Sequence, residues 1–175
     1  MKFAAAPFVA LAVLLAAQEA FAVDLRFHSA NNCSGGFSVC TSIPAGNCCV
    51  NGTPAGSVQA VGSGVGTTYA YGTQACHVGP VFSKAGTVCV KPSFASFASS
   101  WSTSGSGGNR RRQDVTDEAP GPCVDVDSFG FTDDSGKVVV YKIPEDRRAS
   151  ILSALGDGDD EALKAIAAGL PENDA

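Results

Sequence analysis

Cys33, Cys40, Cys48, Cys49, Cys76, Cys89 and Cys123 are the residues of this chain with the most chemistry available to them. Cysteines at this density outside a reducing compartment read as a disulfide framework for a fold whose core is small. The zinc alternative lacks its spacing: there is no C-x2-C pair, and the two histidines, His28 and His77, stand far apart in sequence. Six of the seven lie within residues 33–89 and can close three bridges, in any of 15 connectivities. The adjacent Cys48 and Cys49 point to opposite faces of an extended segment and so bridge to different partners. Cys123, beyond a long polar stretch, is the odd thiol, free or pairing two chains into a dimer.

Catalytic chemistry is thinly represented. His28 and His77, with Glu118, are the weak candidates for the acid/base set of a small secreted hydrolase such as a ribonuclease, and Tyr69 and Tyr71 lie near His77 in sequence. No recognisable nuclease motif accompanies them, and the abundant serines include no G-x-S-x-G elbow. Asp157-Gly158-Asp159-Asp160-Glu161 invites a calcium loop, but counting from Asp157 the sixth and twelfth positions are Ala162 and Ala168. An N-cap followed by acidic residues in a helix's first turn explains that run better. Asp125, Asp127, Asp133 and Asp134 fit alternation on a solvated hairpin face. No metal site and no cofactor are expected.

These residues sit behind a leader. Lys2, the apolar run Phe3 to Ala17 and the small-x-small ending Ala20-Phe21-Ala22 form a secretory signal peptide, so the mature chain is expected to begin at Val23 and be extracellular. No later run approaches the roughly 20 apolar residues of a membrane helix. Asn32-Cys33-Ser34 and Asn51-Gly52-Thr53 are sequons, making Asn32 and Asn51 glycosylation candidates.

Charge divides the chain beyond the leader. Residues 23–108 carry Arg26, Lys84 and Lys91 against Asp24 and are otherwise uncharged, whereas residues 109–175 carry eight basic and fifteen acidic side chains. The expected organisation is a signal peptide (1–22), a cysteine-rich β domain (23–102), a flexible linker (103–122) and an acidic hairpin-plus-helices segment (123–175). Arg110-Arg111-Arg112 in the linker makes Arg111 and Arg112 processing candidates in an accessible stretch, the alternative being an intact solvated linker. Acidic neighbours and a pI near 4.8 argue against nucleic-acid binding.

The fold expected is mainly β: a disulfide-stapled antiparallel β-sandwich, then the linker, then a small β-hairpin and two short helices. Val23 to Phe27, Phe37 to Cys40, Val58 to Val61, Thr67 to Tyr71, Val81 to Phe82 and Thr87 to Val90 read as short strands separated by turns at Ser34-Gly35-Gly36, Pro44-Ala45-Gly46, Asn51-Gly52 and Gly62-Ser63-Gly64. Val124 to Phe131 and Lys137 to Ile143 make the hairpin around Asp133-Asp134-Ser135-Gly136. Pro144 opens a helix that Gly156 stops, and a second helix runs from about Asp159 to Ala168. This small segment needs a surface to dock on.

One pattern recurs. Phe27 is followed by Cys33 and Gly35, Tyr71 by Cys76 and Gly79, and each half later reaches a serine in a strand-like setting, Ser57 or Ser96. Over residues 23–102 this resembles the paired Greek-key motifs of the βγ-crystallin-like superfamily, and the chain is similar to the small cysteine-rich secreted proteins of filamentous fungi. The first resemblance implies a double Greek key, although the acidic or amide pairs that bind calcium in many members are not evident here. The second implies an effector-like or antimicrobial role and makes the arginine run resemble a kexin-type processing site. The function expected is therefore non-enzymatic: binding of an extracellular protein or a cell-surface glycan. The alternatives are the small hydrolase above and a protease inhibitor.

Overall fold

The computed structural model describes residues 22–103 and 121–172. Residues 1–21 of the expected leader, residues 104–120 of the expected linker with the arginine run and Glu118, and the last three residues lie outside the described residues.

Two five-stranded sheets face each other. The first contains β1 (Ala22–His28), β2 (Phe37–Pro44), β4 (Ser57–Val61), β9 (Ser128–Thr132) and β10 (Val138–Lys142), in the order β10-β9-β2-β1-β4. The second contains β3 (Cys48–Ala55), β5 (Thr67–Tyr71), β6 (Val81–Ala85), β7 (Ser96–Ser102) and β8 (Cys123–Asp125), in the order β6-β5-β7-β3-β8. Pairing is antiparallel throughout except between β3 and β8.

Alternation decides what goes inside. Leu25 and Phe27 from β1, Val58 and Ala60 from β4, Ala70 from β5 and Trp101 from β7 meet between the sheets with Cys49 and Val90. Trp101, 1 % exposed, also donates its indole N–H to the Ile43 carbonyl at 2.8 Å, so the largest core side chain leaves no polar atom unpaired.

The C-terminal segment completes both sheets. β8 pairs with β3, and the chain then crosses between layers: the Val126 N–H donates to the Val50 carbonyl and the Asp127 N–H to the Val39 carbonyl, both at 3.0 Å. The single strand expected over residues 124–131 is thus two short strands in different sheets, divided where the chain changes layer. β9 then pairs with β2, and its hairpin with β10 extends the first sheet beyond the sandwich. Phe129, Phe131 and Val139 on that extension pack against Ile151, Leu155 and Leu163 of α1 (Arg148–Asp157) and α2 (Asp160–Ala167).

Several boundaries differ from the sequence pattern. The Asn51-Gly52 turn is interior to β3, whose pairing with β7 shifts register between Val50 and Ala55; Asn51 donates from its side-chain amide to the Thr53 carbonyl there. Residues 87–90 form a single bridge, Val58 with Val90, instead of a strand. Pro144 precedes one 3-10 turn, Glu145–Arg147, and α1 runs through Gly156 to end at Gly158, where the N–H groups of Gly158 and Asp159 return to Leu155 and Ala154. Asp159 caps α2 by accepting from the Ala162 N–H, as its spacing implies.

Three disulfides staple the sandwich: Cys33 to Cys89, Cys40 to Cys49, and Cys48 to Cys76. The adjacent cysteines do bridge to different partners, and Cys123 is free and exposed. The two sequence repeats also use one device. Gly35 and Gly79 both have left-handed backbone, with φ of 75° and 86°, where a Cβ costs steric strain. Ser57 donates to the Ala30 carbonyl and accepts from the Cys33 N–H, while Ser96 donates to the Tyr71 carbonyl.

Candidate binding surface

The two histidines are placed very differently. His28 ends β1 and is 5 % exposed, on the face turned away from the other sheet, with its ring 5.1 Å from that of Phe37. Neither ring nitrogen finds a hydrogen-bond partner among the described residues. Burial pushes its pKa down to about 4, the nearby Arg26 charge pushes the same way, and the Gly35 backbone weakly opposes. Arg26, its guanidinium 4.9 Å from the Phe37 ring centroid, completes this cluster. His77 is exposed in the loop between β5 and β6, in the other sheet. A buried neutral imidazole has no route to substrate, so the pair does not read as a shared acid/base site.

The other sequence candidates have local duties. Asp127 accepts from the Thr41 N–H and hydroxyl and pairs with Lys142 at 2.9 Å; burial alone raises its pKa, but these donors hold it below the usual carboxylate value. Asp133 accepts from the Ser135 hydroxyl and from the Ser135 and Lys137 N–H groups, shaping the hairpin turn. Asp160 accepts from the Gly36 N–H at 2.7 Å and so ties α2 to the β1–β2 loop. Among the described residues no three His, Cys, Asp or Glu side chains gather as a metal site, and no helix is long and apolar enough to cross a membrane.

The sequons separate cleanly. Asn32 is exposed and accepts from the Ser34 hydroxyl at 2.6 Å. Asn51 is 2 % exposed, accepts from Ser38 at 2.8 Å and donates to the Thr53 carbonyl, so the folded chain has no room for a glycan there.

What remains is an exposed rim at one end of the sandwich. β6 is an edge strand with all five residues exposed, and around it stand Val78 (54 % exposed), Val81, Phe82 (42 % exposed) and Val88. Lys84 and Lys91 are exposed on the same stretch, and neither makes an ion pair among the described residues. There is no Asp or Glu from Leu25 to Gln113. Apart from Asp24, every carboxylate among the described residues lies between 125 and 172, on β8, the turns and loops that follow it and the helices, and none lies on β6.

The backbone of the rim is half open. Gly72 donates to the Pro80 carbonyl and Gly86 to the Gly66 carbonyl, both at 2.9 Å, so Pro80 and Gly86 turn their polar groups toward β5. Alternation then points the Phe82 and Lys84 groups at β5 and leaves the N–H and C=O groups of Val81, Ser83 and Ala85 facing outward. Phe82 and Lys84 share the face of their partners Ala70 and Thr68, toward the other sheet, which ends at β4 and leaves them uncovered. Sequence pattern marked Val81 to Phe82 as strand without marking it as an edge. The long carboxylate-free stretch was the available signal.

A family model described as an N-terminal domain matches residues 24–128, from β1 through β8 to the first residue of β9. No curated protein and no solved structure matches the chain.

Proposed function

The chain belongs to the ARB_05566_N family, and from that premise we propose that it is a secreted, non-enzymatic protein that acts by binding an extracellular partner through the β6 rim. The observation that carries this reading is an open, apolar, lysine-bearing strand edge at the end of the second sheet opposite β8. The three disulfides support an oxidising destination, and the leader pattern supports secretion with a mature start at Val23. A cysteine-stapled frame also keeps such an edge rigid and so lowers the entropy lost on binding.

The finer parts of the reading have their own support. The left-handed Gly35 and Gly79 and the returning Ser57 and Ser96 favour a paired Greek-key likeness. Exposure of Asn32 makes it the glycan acceptor of the two sequons. The arginine run at 110–112 offers the processing site, and the small secreted proteins of filamentous fungi remain the resemblance behind an effector-like or antimicrobial role. The test is purified protein assayed against RNA and a panel of protein substrates. The expected result is no turnover; hydrolysis that disappears on His77→Ala overturns the binding reading in favour of an enzyme.

A further inference from the structure

We infer that β6 takes up an extended, acidic segment of a partner protein as an added strand, an inference that rests on the binding reading above and names the partner's chemistry. The outward N–H and C=O groups of Val81, Ser83 and Ala85 are unpaired among the described residues, and an incoming strand satisfies them with main-chain hydrogen bonds. Specificity then comes from the side chains that alternate along such a strand. On the inward face the visitor meets Phe82 and then, two residues on, Lys84, so an apolar residue followed at i+2 by a carboxylate, or the reverse, matches the order of the edge.

Charge selects among occupants. A lysine on an edge strand opposes pairing with a neutral apolar strand, because its ammonium must give up water without receiving a partner. A second copy pairing antiparallel about Ser83 brings both Lys84 side chains to one face, and residues 25–113 hold no carboxylate to offset them. A carboxylate-bearing segment meets Lys84 with opposite charge. Among the described residues the acidic groups other than Asp24 all lie at position 125 or beyond, and none lies on β6 or the turns that flank it.

The experiment uses the disulfide-intact secreted protein and three synthetic ten-residue peptides alternating valine with glutamate, with serine or with lysine. At low salt the glutamate peptide is expected to bind about tenfold more tightly than the serine peptide, and the lysine peptide more weakly than either. On binding, the amides of Val81, Ser83 and Ala85 gain hydrogen-exchange protection, whereas Phe82 and Lys84 are protected already. Lys84→Glu is expected to invert the peptide preference. Ser83→Pro removes an outward N–H without touching the β5 ladder, so it abolishes binding while the thermal midpoint holds.

Equal affinity for all three peptides overturns the inference, as does protection away from β6. Self-association that protects the same amides without peptide assigns the edge to a second copy, and binding to anionic vesicles that survives Ser83→Pro assigns the rim to a membrane surface; either overturns it. If no peptide binds while RNA and protein substrates stay intact, strand addition falls and the binding reading stands. Hydrolysis lost in His77→Ala brings down the reading itself.

Discussion

Cys123 lies directly across from Cys48 in the parallel register of β8 and β3, so the one free thiol of the chain neighbours a cysteine that is already bridged to Cys76. Cys48 is fully buried and Cys123 is exposed at the sheet's edge, and that difference in access sets their chemistry.

Alkylation of the folded protein without reductant is therefore expected to add one group, mapping to Cys123, with six more sites opening only after reduction. Cys123→Ser should leave stability within about 0.5 kcal/mol, since the side chain packs against little, and should remove any disulfide-linked dimer. Peptide mapping and non-reducing electrophoresis check both. Labelling distributed over several cysteines contradicts the three-bridge framework.

His28 makes stability depend on acidity in a definite direction. The unfolded imidazole takes up a proton near pH 6.5, but the folded one does so only at about 4, because burial and Arg26 disfavour its charge. Between those values the unfolded chain binds more protons, so this contribution is complete above about 6.5 and is lost as pH falls toward 4. The loss from this group amounts to about 3 kcal/mol at most. Urea titrations from pH 4 to 7.5 should show a shallower pH slope for His28→Leu than for the parent; identical slopes refute the assignment.

Asp160 fastens the C-terminal helices to the far end of the chain through the Gly36 N–H. Asp160→Ala is expected to cost about 1.5–3 kcal/mol, the range for a hydrogen bond to a charged group, and to speed exchange of the Gly36 amide. A stability loss with Gly36 still protected locates the damage elsewhere in α2.

The two sequons should respond oppositely to substitution. Asn51→Gln breaks paired contacts to Ser38 and Thr53 in a buried site, with an expected loss of about 1–3 kcal/mol. Asn32→Gln is expected to leave stability unchanged and to remove any glycan mass from the protein. Thermal melts and intact mass of both variants settle the comparison.

Cleavage after Arg112 should leave a two-piece particle. β8 and β9 pair with β3 and β2, yet none of the three disulfides reaches beyond Cys89. The pieces are expected to co-elute on native size exclusion and to part in denaturant without reductant. Separation under native conditions shows that the strand pairing is too weak to hold the halves.

Much of this molecule is set by local chemistry. The left-over thiol is legible in sequence because seven cysteines cannot all pair, and the Asp133 to Gly136 turn and the Asp159 cap because each depends on neighbours a few residues away. Alternation in Val23 to Phe27 and Thr67 to Tyr71 likewise identifies strands. Asn51-Gly52 misleads because a turn-forming pair is absorbed into β3, where Leu152 of α1 lies close to Gly52 and Ser38 of β2 satisfies Asn51.

What tertiary structure alone decided is which residues are covered. Val124 to Phe131 divides between two sheets because Val50 and Val39, distant in sequence and in different layers, accept consecutive N–H groups. His28 is sealed and Phe82 exposed although both sit in strands, because one is laid against Phe37 and Arg26 while the other overhangs the last strand of the opposing sheet. Composition determines which side chains gain by leaving water; the long-range pairing of strands determines which of them reach a partner surface, and that pairing left β6 at the edge.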